Sequence, residues 1–188
     1  TSPLAQPFPE MPIIDGVTLR AVRAQYKDWD RADLTYVELA EGTSVAGVFT
    51  QSLCASSEVE LGREQVKSGS ARALVVNAGN ANAFTGYRGR EAVEQIMQQA
   101  ADHIGCSAQQ VFVSSTGVIG VPLPKDKAQE GLAAAFAANE ASWEEVAQAI
   151  STTDTFPKGA HASAIVDGQR VNLVGIIKGS GMIAPDMA

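Results

Sequence analysis

The sequence predicts an α+β fold, a layered α/β arrangement of mixed sheets with packed helices. Three observations predict it: short segments of alternating apolar residues, longer segments with apolar residues at helical spacing, and a strong hairpin signal near residue 168. Strands come first, helices and strands then follow each other, and a hairpin comes last, which favours a mixed sheet. No internal repeat or linker is evident, so residues 1–188 are expected to form a single unit.

The first elements are an irregular arm and a predicted hairpin. Four prolines lie in residues 1–16, which are expected to lack regular structure. Residues 34–39 alternate as a half-buried strand does, and Glu41-Gly42 is a turn signal before the Val- and Phe-containing segment 44–50. The two segments are expected to pair as an antiparallel hairpin.

The rest of the chain is expected to contain strands that alternate with helices. Capping and stop signals support the helices: Ser142 and Glu145 have capping-box spacing, and Gly105 follows a helical pattern. Asp167-Gly168 indicates a hairpin turn. The predicted elements are strands at 73–77, 111–114, 160–166 and 169–177, a loop at 78–86, and helices at 90–104, 125–138 and 142–150.

Composition and charge argue against several classes of protein. The net charge of -7 and the pI near 4.8 argue against non-specific binding of nucleic acid or anionic membranes. No apolar run approaches the roughly 20 residues of a membrane helix, and residues 1–11 lack the features of a signal peptide. Two isolated cysteines, Cys54 and Cys106, are expected to be small buried apolar groups in a reducing compartment, which favours the cytoplasm.

Four segments could contribute to a functional site. Residues 77–83 hold three asparagines among small residues, typical of a tight turn or of a ligand-lining loop. Residues 114–120 place hydroxyls beside glycines, where an O–H and a backbone N–H can donate to one oxyanion, although turns also use these residues. Residues 151–158 surround one carboxylate with threonines, as either a turn network or a polar pocket wall. Lys178 follows an apolar strand. It is either a strand-end lysine whose stem lies on apolar surface while its ammonium reaches solvent, or an anchor for a substrate carboxylate.

Other catalytic signatures are absent from this sequence. His103 and His161 are isolated and are expected to be structural, and no metal-ligand cluster, Ser-His-Asp arrangement or phosphate loop is present. Residues 178–188 are Gly-rich, apolar and almost uncharged, unlike a frayed terminus. Truncation and purposeful cleavage after Ala188 both explain this composition.

In their order, segments 75–83, 115–120, 152–155 and 178–188 closely resemble the α chain of the ornithine acetyltransferases, the bifunctional glutamate N-acetyltransferases of arginine biosynthesis. The resemblance covers essentially the whole chain, except that the arm before Asp15 carries no motif. It implies a precursor that cleaves itself after Ala188. The threonine that follows would become the amino-terminal nucleophile of a separate β chain.

The resemblance also implies a mechanism and partners. Acetyl would pass from N2-acetyl-L-ornithine to the threonine and then to L-glutamate in a ping-pong reaction. Thr116 and Gly117 would form the oxyanion hole, and Thr152 and Lys178 would hold the substrate, with Lys178 facing its α-carboxylate. The adjacent Thr153 and Thr155 leave open which threonine contacts the substrate.

No cofactor or metal is implied, although acetyl-CoA is an alternative acetyl donor for this family. The resemblance suggests a dimer of αβ pairs, a heterotetramer, in which the sheet ending at Lys178 continues into the β chain. Two other functions stay open on the residues alone: a self-processing, aminopeptidase-like hydrolase subunit, and a non-catalytic binding module with an amide-lined pocket.

Overall fold

The computed structural model describes residues 2–3, 5–181 and 184–188, so Met182 and Ile183 of the last motif lie outside the described residues. The strands are β1 (Val17–Val22), β2 (Leu34–Leu39), β3 (Ala73–Asn80), β4 (Val111–Val118), β5 (Lys158–Val166) and β6 (Gln169–Ile177). The helices are α1 (Ser57–Gln65), α2 (Gly86–Ile104), α3 (Lys125–Ala137) and α4 (Trp143–Ala149). Single 3₁₀ turns lie at Val66–Ser68 and Ala108–Gln110.

The sheets are mixed, and this confirms the predicted α+β class. The main sheet has the order β1-β2-β3-β4, in which β1–β2 and β2–β3 are antiparallel and β3–β4 is parallel. Strands β5 and β6 form a separate antiparallel hairpin. Because β3 and β4 are parallel, both end at the same edge of the sheet, and residues at these two ends are brought together.

The hydrophobic core lies between the main sheet and the helices α2 and α3. Tyr36 of β2 is fully buried, and its ring makes an edge contact with Phe136 of α3 at 5.2 Å between centroids. Helix α2 buries the stripe that its sequence spacing predicted. The buried members of this stripe are Ala92, Ile96, Met97, Ala100 and Ala101, whereas Ile104, also predicted to belong to it, is half-buried. Burial of this face holds the helices against the sheet and leaves the strand ends free for other roles.

The predicted hairpin of 34–39 with 44–50 is wrong. Strand β2 pairs with β1 on one side and with β3 on the other, so neither of its edges is free for residues 44–50. That segment forms only isolated bridges, Ser44 with Ser70 and Thr50 with Met187. The backbone groups at a strand edge can pair with any strand whose side chains pack well there. Val17–Val22 occupies this edge of β2, and residues 44–50 do not.

Two further differences concern elements with little apolar patterning. Helix α1 was not predicted because its buried residues are Glu58, Gly62 and Gln65, and these give no apolar stripe. The cysteines are not buried as expected: Cys54 is exposed and Cys106 is half-buried. Small apolar side chains supply too little buried area for sequence alone to decide their position.

Local signals at the element ends are confirmed. Gly105 ends α2 in the left-handed conformation (φ 77°), which glycine adopts without a steric penalty. Ser142 caps α4: its hydroxyl accepts the N–H of Glu145, and its own N–H donates to the Glu145 carboxylate. Asp167 and Gly168 both have positive φ in the β5–β6 turn. In the part of the chain that the structure describes, no helix is long and apolar enough to cross a membrane.

Candidate active site

The ends of β3 and β4 form the first wall of the candidate site. Both strands extend beyond their predicted ends, so Ala78 pairs with Thr116 and Gly79 pairs with Gly117 inside the sheet. Gly117 has a φ of 136°, and a Cβ placed there would lie 2.4 Å from the carbonyl carbon of Gly79. Only glycine fits this close approach, and its bare backbone is left exposed beside Thr116.

The asparagine segment supports this wall rather than lining the site. The side chains of Asn77, Asn80 and Asn82 are at most 5% exposed. Asn77 donates to the carbonyl of Asn80 at 2.9 Å, and the Asn80 side-chain oxygen accepts the N–H of Asn82 at 2.7 Å. Asn82 donates to the buried Glu58 at 3.0 Å, and the hydroxyl of Ser115 lies 2.6 Å from the same carboxylate oxygen. These contacts favour the turn interpretation of the three amides.

The threonine segment follows α4 and forms the opposite wall. Arg31 holds its start, because its guanidinium donates to the carbonyl of Ser151 at 2.6 Å and to that of Gln148 at 2.9 Å. The same guanidinium lies 4.1 Å from the ring centroid of Trp29. Burial lowers the pKa of Arg31, although the charges of Asp33 and Asp154 oppose this change. Arg31 therefore joins the threonine segment to the loop that carries Trp29.

Asp154 connects this wall to the end of β6. Its side chain is only 2% exposed and accepts the ammonium of Lys158 at 2.7 Å. It also accepts the backbone N–H groups of Gly179 and Thr152, the latter at 3.3 Å. One buried carboxylate thus places Thr152 beside the Lys178–Gly179 peptide, although 25 residues separate Asp154 from Gly179.

Burial acts to raise the pKa of Asp154, but hydrogen bonds from Lys158, Gly179 and Thr152 outweigh it and lower the pKa below its ordinary value of 3.8. The charged carboxylate therefore stabilises the fold above that pH, and the contribution is lost as the pH falls through the lowered pKa. We expect the Asp154→Asn variant to be less stable than the natural sequence by about 1–3 kcal/mol at pH 7.

As the pH falls below 3.8 and through the lowered pKa of Asp154, the two proteins should converge in stability, because Asp154 then takes up a proton. Thermal unfolding measured between pH 3 and pH 7 checks this expectation. A constant difference across that range would contradict the assigned role of the charge.

An open cavity of about 390 Å³ lies between the two walls. It contains all four residues that the sequence assigned to an oxyanion hole or to substrate binding. The lining residues are Lys27, Trp29, Gly79, Thr116, Gly117, Val118, Thr152, Thr153, Lys178 and Gly181. A further cavity of about 460 Å³ lies between the amino-terminal arm and the start of α4, and none of those four residues lines it.

The polar groups on the cavity are free to bind a ligand. Among the described residues, the hydroxyls of Thr116 and Thr152 have no hydrogen-bond partner, and the Lys178 ammonium donates only to the carbonyl of Gly179, at 2.6 Å. Lys27 and Lys178 both line this cavity, and no acidic residue of the described chain lines it. An anionic ligand fits this charge distribution.

Among the three threonines that the sequence left open, Thr152 and Thr153 line the cavity, whereas Thr155 lies on a separate small pocket behind the wall. Ala188 is not among the lining residues, and its backbone pairs with Phe49 through hydrogen bonds of 2.8 and 2.9 Å. Within the part of the chain described, no group of three His, Cys, Asp or Glu residues could hold a metal ion.

Sequence reasoning missed Lys27 and Trp29. Both lie in the loop between β1 and β2, where the run from Lys27 to Arg31 places a single tryptophan among charged residues. A large aromatic residue in so polar a loop was the available signal, because such residues are usually buried in a core or used in binding.

Comparisons with known proteins agree with this architecture. The ArgJ family pattern matches residues 18–188. The chain is 58% identical to the arginine biosynthesis bifunctional protein ArgJ of Zymomonas mobilis over all 188 residues, and 47% identical to that of Gluconobacter oxydans. It spans 46% and 44% of these relatives, which is about half their length.

Two solved structures share the fold. One is ornithine acetyltransferase from Mycobacterium tuberculosis in complex with ornithine, with 31% identity, a TM-score of 0.85 and 93% of each chain covered. The other is the arginine biosynthesis bifunctional protein ArgJ from Bacillus halodurans, which has the same identity and TM-score and for which 93% of this chain and 92% of that chain are covered.

Proposed function

This chain belongs to the ArgJ family, and from that premise we propose that it is the α-chain part of an ornithine acetyltransferase. The enzyme would move acetyl from N2-acetyl-L-ornithine to L-glutamate and so form ornithine and N-acetylglutamate for arginine biosynthesis. One observation carries the proposal: a single cavity collects Thr116, Gly117, Thr152 and Lys178, which are far apart in the sequence.

In the proposed reaction, the nucleophile is the hydroxyl of the threonine that follows Ala188 and begins the β chain. A threonine hydroxyl is a weak nucleophile at neutral pH and needs a base. The free α-amine of the same residue has an ordinary pKa of about 7.7–8.0 and lies within reach of the hydroxyl proton. Before cleavage, attack of this hydroxyl on the Ala188 carbonyl would separate the two chains.

Acetyl transfer would proceed in two steps through an acetyl-threonine. The hydroxyl adds to the acetyl carbonyl of acetylornithine, and the resulting oxyanion accepts the O–H of Thr116 and the N–H of Gly117. Collapse of this intermediate releases ornithine, whose amine takes up the proton. The amine of glutamate then attacks the acetyl-threonine through the same oxyanion site and restores the threonine.

The opposite wall would hold the substrates. Both substrates carry an α-carboxylate, which suits the Lys178 ammonium, and the Thr152 hydroxyl is free to donate beside it. Thr153 lines the same cavity and is the alternative donor. The positive lining of an otherwise acidic chain supports substrates that are anionic at this end.

The proposed partners follow from the share of the relatives that this chain spans. A β chain from the same precursor would supply the other half, and two αβ pairs would form a heterotetramer. The β5–β6 hairpin supports an additional interface, since Ile165, Leu173 and Ile177 are each at least 65% exposed. No cofactor is proposed, and acetyl-CoA would serve as a second acetyl donor for glutamate.

A direct assay tests this function. Purified full-length protein, supplied with acetyl-labelled N2-acetyl-L-ornithine and L-glutamate, is expected to form labelled N-acetylglutamate and free ornithine. Mass spectrometry of the same sample should find a chain that ends at Ala188 and a second chain that begins with Thr. An uncleaved protein without transfer activity would overturn the proposal, and release of amino acids from peptide amides instead would favour a hydrolase.

A further inference from the structure

We propose that Lys27 is a further catalytic residue of this site and that its ammonium group stabilises the oxyanion beside Thr116 and Gly117. The inference rests on the proposed acetyl transfer. It concerns a loop in which the sequence motifs placed no functional residue.

The loop that carries Lys27 is held in one conformation by a buried carboxylate. Asp33 is fully buried and accepts the backbone N–H groups of Ala24 at 2.6 Å, Gln25 at 3.2 Å and Tyr26 at 2.7 Å. Lys127 of α3 also donates to the carbonyl of Gln25. Three charge-assisted bonds to consecutive residues fix the backbone immediately before Lys27.

The Lys27 side chain lies on the wall that holds the oxyanion donors. Its stem packs over Gly79, where a Cβ would lie 2.8 Å from the Lys27 Cγ. Gly79 is the register partner of Gly117. The methylene stem therefore covers the glycine that opposes the proposed N–H donor, and Lys27 lines the cavity.

The Lys27 ammonium is also available for an anion. Three of the six lysines, Lys67, Lys125 and Lys158, form ion pairs with carboxylates. Lys27 has no hydrogen-bond or ion-pair partner among the described residues, although the chain carries 21 acidic residues. Lys27 is exposed and without an internal partner, so its charge is available to an anion that enters the cavity with the substrate.

Two anions occur at this site during the proposed reaction, and the geometry separates them. The substrate α-carboxylate is assigned to Lys178, which the Asp154 contacts place beside Thr152 on the opposite wall. Lys27 lies on the wall of Gly79, Gly117 and Thr116, where the carbonyl oxygen becomes negative. Lys27 is therefore assigned to the oxyanion and Lys178 to the α-carboxylate.

The chemical role is electrostatic. When the threonine hydroxyl adds to the acyl carbon, its proton moves to the α-amine and the carbonyl π electrons move to oxygen. Lys27 keeps its proton throughout and attracts the new negative charge, in addition to the two hydrogen bonds from Thr116 and Gly117. The charge on oxygen disappears when the carbonyl re-forms, so the interaction favours the intermediate over the bound substrate.

The test uses the Lys27→Met variant of the full-length protein and follows each half-reaction separately. Exchange of labelled ornithine into N2-acetyl-L-ornithine requires only the donor half, and exchange of labelled glutamate into N-acetylglutamate requires only the acceptor half. Because both halves pass through the same oxyanion, we expect both maximal exchange rates to fall by a similar factor, about 10- to 100-fold. The KM values for acetylornithine and glutamate should change less than threefold.

Two further variants serve as controls. Lys27→Arg retains the positive charge and should recover most of the lost rate, whereas Lys67→Met removes an exposed lysine that is paired with Glu64 and should leave both rates unchanged. A loss confined to the glutamate half with a raised KM would instead assign Lys27 to a substrate carboxylate and overturn the proposal. Unchanged rates would also overturn it, while absence of both exchanges from the natural protein would refute the proposed acetyl transfer itself.

Discussion

Replacing Thr116 by alanine in the full-length protein is expected to lower the rate of acetyl transfer to glutamate by about 10²- to 10³-fold, the usual cost of losing one oxyanion-hole donor. The reason is local: the Thr116 hydroxyl lines the cavity and has no hydrogen-bond partner among the described residues. The substitution therefore breaks no internal bond and should leave the fold intact. The loss should appear in the maximal rate more than in the KM, because the hydroxyl binds the oxyanion and not the ground-state carbonyl.

The matched control for this prediction is Thr116→Ser, which retains the hydroxyl and loses only a methyl group. It should keep at least a tenth of the natural rate. Steady-state kinetics with varied acetylornithine and glutamate, together with thermal unfolding of each variant, separates a catalytic loss from a loss of fold. Normal turnover by the alanine variant would remove Thr116 from the oxyanion hole.

The Gly117→Ala substitution is expected to destabilise the protein by about 4 kcal/mol and to abolish measurable transfer. A Cβ at this position would lie 2.4 Å from the Gly79 carbonyl carbon and 2.6 Å from the Asn80 nitrogen, and both of these atoms belong to the backbone of a paired strand. Neither atom can move without separating β3 from β4. The φ of 136° adds strain, because residues that carry a Cβ rarely adopt this backbone angle.

Gly42→Ala distinguishes the two causes of this destabilisation. Gly42 also has a positive φ, 84°, but a Cβ there would meet nothing within 4 Å. Its replacement should cost only the backbone strain, about 1–2 kcal/mol. Urea unfolding of both variants measures the difference, and equal losses would mean that the close approach of Gly117 to Gly79 has no energetic consequence.

Part of the candidate site was predictable because short sequence motifs contain the residues of its proposed chemistry. The residues alone left turn and site interpretations open for these segments. The family resemblance selected Thr116, Gly117, Thr152 and Lys178, and the structure collects these four residues on one cavity. Lys27 belongs to no such motif. It reaches the cavity because the buried Asp33 holds the preceding backbone. A contact of this kind depends on burial, which no local pattern reports.

The helices and strands likewise include some that the sequence predicted and some that it did not. Helix α2 and its stop at Gly105 were predicted, as was the β5–β6 turn at Asp167-Gly168, because spacing and turn residues act over a few neighbouring positions. Helix α1 was not predicted, because its buried face consists of Glu58, Gly62 and Gln65 and contains no apolar stripe. Residues distant in the sequence bury this face. Asn82 and Ser115 contact the Glu58 carboxylate, Phe49 packs against Gly62, and the Gln65 amide donates to the carbonyl of Val111.

The sequence by itself therefore determined the fold class, most helices and strands, and the four motif residues of the cavity. The tertiary structure alone decided that Val17–Val22, and not residues 44–50, pairs with β2, and that Asp154 brings Thr152 to Lys178. The physical reason is the range of the interactions. Capping, turn and amphipathic signals act between residues that are close in the sequence. A strand edge can pair with the backbone of any strand, and a buried carboxylate can accept from any donor. The partners of strand edges and buried carboxylates therefore depend on how the whole chain packs.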